Sequence, residues 1–360
     1  MLESEILFGR EGGVVTVTLN RPQALNAFTL GMYRNLDPML QAWEDDPDIA
    51  AVLIRGAGDR AFCAGGDVRA VYEAGRGIAG DHSLTSVFFR EEYELIRRLH
   101  RYRKPYLAII DGITMGGGAG VSVNGAYRIA TEKTMLAMPE TGIGLFPDVG
   151  ATRFLNLCPG HIGRYLGLTG ARLNAADALY CGFATHFVPR ERQPQLVEAL
   201  FAVQWQPGQE RQQVAEILAA LGGDPGAAPV AARRTIIDRC FAGDTIEAIL
   251  DALACEEGGE DAKWAAETRG GLLLKSPTSL KVTLRQLAVG RDCDLEGALT
   301  LEYRLTQHFM AAHDFYEGVR AVLVDKDQKP AWQPATLAEV TEPMVDSYFV
   351  SLGDGELRFS

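Results

Sequence analysis

The stretch Tyr106-Leu107-Ala108-Ile109-Ile110, followed a few residues later by Met115-Gly116-Gly117-Gly118-Ala119-Gly120, decides how the rest of the chain is read. An apolar strand entering a glycine-dense turn that opens a helix aims unpaired backbone N–H groups at one point, where negative charge can bind or develop. Glycine is what lets backbone come so close to a ligand. The same cluster also suits a tight turn with close helix–sheet packing, so the neighbouring sequence must arbitrate. It is not the dinucleotide fingerprint, because Val121 stands where the last glycine of G-x-G-x-x-G belongs, and no Gly-Lys-Ser/Thr of a P-loop occurs.

Working outward, the 360 residues are 47% hydrophobic, enough for a full core and for material beyond one compact domain. The formal charge of -12 argues against a nucleic-acid surface, so an anionic ligand must be met by local cations or amides. The six cysteines (63, 158, 181, 240, 255 and 293) show no C-x-x-C pair or zinc spacing, and the six histidines no H-E-x-x-H, so no metal is expected. The start, Met1-Leu2-Glu3-Ser4-Glu5, lacks signal- or transit-peptide character, and no apolar run reaches membrane-spanning length. These features predict a soluble cytosolic protein without a membrane partner.

Val14–Leu19 alternates like a half-buried strand, and residues 49–54 read as a strand buried on both faces. Between them Met32, Leu36, Met39, Leu40 and Trp43 share one helical face, with Pro38 implying a kink or a late start. Further strand-like pieces at Tyr106–Ile110, Tyr127–Ala130 and 134–138 alternate with turns and helix-length segments, which is α/β patterning. Residues 191–271 are rich in Ala, Gln and Glu and read as helices. Ser276-Pro277 is a helix start, cap then first-turn proline, and a helical C-terminal portion follows through Leu299, Tyr303 and residues 315–323.

A second glycine turn, Gly56-Ala57-Gly58-Asp59-Arg60-Ala61-Phe62-Cys63-Ala64-Gly65-Gly66-Asp67, follows the buried strand. Two such turns can aim amides at one oxygen, each donor worth about 3 kcal/mol in a transition state. With Asn20-Arg21-Pro22-Gln23-Ala24-Leu25-Asn26-Ala27 and Asp111-Gly112-Ile113-Thr114-Met115-Gly116-Gly117-Gly118, the chain resembles the crotonase superfamily, the enoyl-CoA hydratase/isomerase family, over most of its length. The resemblance implies a ClpP/crotonase-like spiral of ββα units with a helical C-terminal region, and an oxyanion hole from the N–H groups of Gly66 and Gly117. It also implies that Leu25, Ala64 and Asp67 line the CoA groove.

Within the family the resemblance narrows to hydrolases of 3-hydroxyisobutyryl-CoA. It does so through Phe89-Arg90-Glu91-Glu92-Tyr93, Met138-Pro139-Glu140-Thr141, Gly144-Leu145-Phe146-Pro147-Asp148-Val149-Gly150, Ser276-Pro277-Thr278-Ser279-Leu280-Lys281 and His313-Asp314-Phe315-Tyr316-Glu317-Gly318-Val319-Arg320-Ala321. A hydratase carries a glutamate where this chain has Gly120, and a glycine where it has Asp148. One water-handling acid is therefore lost, while Glu140 and Asp148 form a differently placed pair. Buried together, two carboxylates can have their pKa values pushed apart, leaving one as base or nucleophile and the other to bind a hydroxyl.

An isolated acid is usually a cap or a solvated group, and it is motif context that assigns these two. Glu92 admits two readings, an exposed helix face with i,i+4 pairing or a substrate contact, and the resemblance favours the second. Ser122 lacks the closing glycine of G-x-S-x-G and is expected inside a packed helix.

The expectation is thus thioester cleavage of a short 3-hydroxyacyl-CoA in valine breakdown, with CoA as part of the substrate and no cofactor. A hydratase or isomerase activity and a catalytically idle CoA-binding module stand as rivals. The expected organisation is a core at 1–190 with the CoA-ester site, a helical insertion at 191–271 and a C-terminal helical region at 272–360. The family commonly trimerises, which leaves room for a homo-oligomer that the insertion and C-terminal portion could alter or block.

Overall fold

A computed structural model describes residues 4–78 and 81–359. By contact they form two compact units, one drawn from Met1–Asp67, Glu94–Ala137 and Leu173–Pro229, the other from Val68–Tyr93, Met138–Arg172 and Val230–Ser360.

The first unit holds every strand among the described residues. In chain order these are β1 (Ile6–Glu11), β2 (Val14–Leu19), β3 (Ala51–Gly56), β4 (Ala61–Cys63), β5 (Tyr106–Ile110), β6 (Ile113–Met115), β7 (Tyr127–Ala130), β8 (Met135–Ala137) and β9 (His186–Phe187). They make a six-stranded sheet in the order β1-β2-β3-β5-β7-β9 and a three-stranded sheet in the order β4-β6-β8. Apart from the antiparallel β1/β2 hairpin, every pairing is parallel, with Val15 opposite Val52, Leu53 opposite Leu107 and Ala108 opposite Arg128. Each successive pair, β3–β4, β5–β6 and β7–β8, places one strand in each sheet. The chain therefore advances as a spiral of strand–strand–helix units.

Parallel strands covered on both faces are expected to be apolar throughout, and residues 51–54 of β3 and all of β5 are buried. One face packs Val14, Leu53, Leu107, Ile109 and Ile129 against Leu196, Leu200, Val214 and Leu218. These last four lie on the helices Gln193–Ala202 and Glu210–Leu221.

The helix Leu30–Asp45 is capped by Thr29, whose Oγ1 accepts the Met32 N–H at 3.2 Å, and it buries Met32, Tyr33, Leu36, Leu40 and Trp43. The late start expected at Pro38 does not occur. The helix begins two turns earlier and runs past Pro38, which is exposed, because burial of the stripe on either side outweighs one missing N–H.

The second unit is helical. Ser276 starts the helix Pro277–Val289, its Oγ accepting the Ser279 N–H at 3.0 Å and donating to Asp314 at 2.6 Å. Tyr165 packs edge-on against Phe241 at 5.3 Å between ring centroids, and Phe309 lies tilted against Phe146 at 5.4 Å. The helix Leu295–Met310 presents Leu295, Ala298, Leu299, Glu302, Leu305 and Phe309 to this core, so a carboxylate sits in an otherwise apolar stripe.

Candidate active site

The two glycine turns meet inside the first unit. Gly65 adopts φ +122, and a Cβ on it would lie 3.4 Å from the Met115 carbonyl oxygen and 3.7 Å from the Gly117 amide nitrogen. Gly118 permits this approach, since a Cβ there would come within 2.2 Å of the Cys63 carbonyl oxygen. The Phe28 N–H bonds the Gly65 carbonyl at 2.9 Å and the Phe28 carbonyl accepts the Asp67 N–H at 2.8 Å, a bridge that skips the amide of Gly66. Neither the Gly66 nor the Gly117 N–H has an acceptor among the described residues. Two unengaged amides in adjoining turns can take a single developing oxyanion.

The groove residues named from the resemblance gather beside them. The Leu25 carbonyl accepts the Ala64 N–H at 3.0 Å, and Asp67 pairs with Arg21 at 3.1 Å. Leu25 and Asn26 take positive φ, 50° and 58°. Asn26 is fully buried, donating to the carbonyls of Ala57 and Ala61 at 2.9 Å each and accepting the Arg21 N–H at 3.0 Å. That one side chain ties the first motif to the second, and its left-handed backbone is of a kind asparagine tolerates better than most residues.

The acids lie in the second unit. Glu92 is 2% exposed, Glu140 and Asp148 5% each, and Glu302 is fully buried. The exposed-face reading of Glu92 is thereby excluded. Glu140 opens a short 3-10 turn, Glu140–Ile143, that ends on Gly144 at φ +70. The Thr141 carbonyl in that turn accepts the Ser276 N–H at 3.3 Å. Glu140 Oε2 is buried and has no hydrogen-bond partner among the described residues. Asp148 is engaged, its Oδ2 accepting the Tyr93 hydroxyl at 2.7 Å.

Burial, then the charge of Asp148, holds the Glu140 carboxyl well above the ordinary carboxylate range, while Lys275 pulls the other way. Burial lifts Asp148 to about 6, opposed by the Tyr93 hydrogen bond. Glu302 rises to about 8 through burial and then the Asp148 charge, against the N–H groups it accepts. Burial, Asp148, Glu302 and Glu92 together hold the Tyr93 phenol firmly protonated. A carboxyl raised toward neutrality is suited to general-base work, and the unpartnered Glu140 oxygen is the one available for it.

Tyr93, Lys275 and Glu302 were not singled out from sequence. For Glu302 a signal existed, a charged residue at an apolar position of a helical repeat. Tyr93 stood at the end of the motif Phe89–Tyr93 without a role assigned to it, and Lys275 carried no signal. Gly120 lies buried within the helix Gly117–Val123, and Ser122 in the same helix donates to the Gly118 and Ala119 carbonyls, as a packed serine does.

Two mostly parallel sheets built from a repeated strand–strand–helix order, with unengaged glycine amides in adjoining turns, define a crotonase fold. The chain belongs to the enoyl-CoA hydratase/isomerase family, whose model matches residues 14–349. A Xenopus laevis protein named "3-hydroxyisobutyryl-CoA hydrolase, mitochondrial" is 48% identical over 357 residues, covering 98% of this chain and 90% of that protein. The Homo sapiens protein of the same name is 45% identical over 363 residues, covering 99% and 91%.

Among solved structures, a carnitinyl-CoA dehydratase from Mycobacterium thermoresistibile is 41% identical, with TM-score 0.90 and 99% of both chains covered. An enoyl-CoA hydratase from Rhodobacter sphaeroides is 38% identical, with TM-score 0.87, covering 99% of this chain and 100% of that one. The expectation of a cytosolic protein is corrected by the relatives, whose names place them in mitochondria. That expectation rested on the composition of the first residues and on the lack of a membrane-length apolar run, and neither fixes a compartment.

Proposed function

We propose that this chain hydrolyses the thioester of a short 3-hydroxyacyl-CoA, with 3-hydroxyisobutyryl-CoA as the substrate, releasing 3-hydroxyisobutyrate and CoA in valine breakdown. The observation that carries this reading is the unequal treatment of the two acids. Glu140 keeps a buried, unpartnered oxygen, while Asp148 is held by Tyr93. Gly120, where a hydratase needs its second glutamate, supports it, as do the relatives named for this reaction at 45–48% identity.

In the reaction, the amides of Gly66 and Gly117 bind the thioester oxygen and strengthen as it becomes anionic, which favours the transition state over the ground state. Glu140, ionised, either adds to the carbonyl carbon and expels CoA thiolate, leaving a mixed anhydride that water opens, or takes a proton from the attacking water. Asp148 binds the 3-hydroxyl, and Glu92 contacts the acyl portion. Leu25, Ala64 and Asp67 line the CoA groove. An analogue without the hydroxyl deprives the buried Asp148 of one hydrogen-bond partner and is disfavoured for that reason. CoA is part of the substrate, and the reading calls for no other cofactor.

The test is thiol release over short acyl-CoAs with and without a 3-hydroxyl. Glu140→Gln should fold normally and lose at least about 100-fold in kcat. Near-normal turnover by that variant removes Glu140 from the chemistry. Trapping an acyl-enzyme with hydroxylamine separates the nucleophilic from the general-base route.

The second reading, hydration or dehydration of an acyl-CoA, is favoured by the names of the two similar solved structures. Loss of enoyl absorbance on crotonyl-CoA without thiol release would establish it instead.

A further inference from the structure

Residues 147–152, which carry Asp148, are held in a conformation that their own sequence disfavours. Val149 has φ +58, followed by Gly150 at φ +90. A β-branched residue in the left-handed region is a true outlier, and such strain persists only where the surroundings impose it. The chain places a side chain on each part of the segment. Gln286 Nε2 donates to the Pro147 carbonyl at 2.7 Å and to Thr152 Oγ1 at 2.8 Å. Tyr93 holds the Asp148 carboxylate, and the Asp148 carbonyl accepts the Ala151 N–H at 2.9 Å. Glu302 Oε2 accepts the Gly150 N–H at 2.7 Å, and its Oε1 the Thr152 N–H at 2.8 Å.

Glu302 is the costly member of this set. It is fully buried midway along the Leu295–Met310 helix, and no Lys or Arg pairs with it among the described residues. An apolar residue would fill that core position at far lower cost, since a buried unpaired acid is tolerated only against strong compensation. Both oxygens are spent on the two amides that flank Ala151, just past the strained Val149. The backbone of Asp148 is thus fixed through the turn that Glu302 grips, and its side chain through Tyr93.

We infer that Glu302 is a positioning residue for Asp148, holding the Val149–Gly150 turn so that the Asp148 carboxylate is set to read the substrate's 3-hydroxyl. The inference rests on the reading of Asp148 given above. Glu302 touches no substrate in this scheme. Its contribution is selectivity rather than bond cleavage, and a turn released from it relaxes toward the ordinary φ of valine and carries Asp148 away.

The experiment measures kcat and KM for thiol release from 3-hydroxyisobutyryl-CoA and from isobutyryl-CoA in the full-length enzyme and in Glu302→Gln, Asp148→Asn, Val149→Gly and the Glu302→Gln/Val149→Gly double variant. Glutamine keeps the size but puts an N–H₂ group against one of the two backbone donors. The preference for the hydroxylated substrate should fall about tenfold or more in Glu302→Gln, chiefly through KM, because small misplacements of a binding group are costly.

Adding Val149→Gly should restore part of that preference, since glycine adopts φ +58 without strain and needs less restraint. If Glu302→Gln does not accumulate as folded protein, Glu302→Asp is read by the same ratio. An undiminished preference in the folded Glu302 variant, or an equal loss on both substrates, overturns the inference while Asp148→Asn still abolishes the preference. An Asp148→Asn enzyme that keeps full preference instead removes the reading of Asp148 on which the inference stands.

Discussion

The Tyr93 hydroxyl donates to Asp148 Oδ2 at 2.7 Å, with both side chains buried. This bond separates the two acids of the cluster, for it occupies Asp148 and leaves Glu140 with a bare oxygen. Tyr93→Phe should therefore cost about 1–3 kcal/mol in chemical denaturation, because the buried Asp148 loses its donor. It should also weaken selection for the 3-hydroxyl more than it slows cleavage of an unsubstituted acyl-CoA. Unchanged stability together with unchanged selectivity would show that the bond does not orient Asp148.

Lys275 is half-buried, and after a backbone hydrogen bond to the carboxyl its charge draws the Glu140 pKa downward, against burial and the neighbouring acids. On the proposed mechanism Glu140 acts ionised, so kcat/KM should rise with pH through a value above the ordinary carboxylate range. Lys275→Met removes the opposing cation and lifts Glu140 further, so the acid limb of the profile should move to higher pH. A limb that stays in place would mean that Lys275 does not govern the ionisation of Glu140.

Stability should depend on pH in the direction set by raised carboxyls. Asp148 and Glu302 titrate at about 6 and about 8 when folded, above their unfolded values, so the folded state holds protons that the unfolded chain has already lost. Their stabilising share is complete below about pH 4 and disappears as pH rises through 6 and then 8. Carboxyls held low by cations, such as Glu256 beside Arg239, lose their contribution only on the acid side of the ordinary range and do not interfere. The Tm should accordingly decline from about pH 5 to pH 8. Glu302→Gln should flatten the upper part of that slope, as thermal unfolding across the range would reveal.

Gly118→Ala should wedge the two glycine turns apart. Its Cβ would meet the Cys63 carbonyl oxygen at 2.2 Å, and backbone must shift to admit it. We expect a stability loss of about 1–3 kcal/mol and a fall in kcat larger than the change in KM. A variant with native kcat would show that the spacing of the turns is not set by this contact.

Much of the first unit was legible because its signals are local. Val14–Leu19, Tyr106–Ile110 and Tyr127–Ala130 read as strands and are strands, and Ser276 caps a helix as its proline neighbour implied. The short strands β4, β6 and β9 were not read, since two or three residues carry no periodicity. Pro38 misled because a propensity acts at one residue while burial acts along the whole stripe.

Sequence alone determined the strand-and-glycine-turn pattern and the family, and it nominated Glu140 and Asp148 as a pair, because these depend on residue type and spacing along the chain. Tertiary structure alone decided which acid is free and which is held. Tyr93, Lys275 and Glu302 stand far from Glu140 and Asp148 in the chain. Their effect on ionisation and orientation comes from burial and through-space charge, quantities that exist only after the chain has folded.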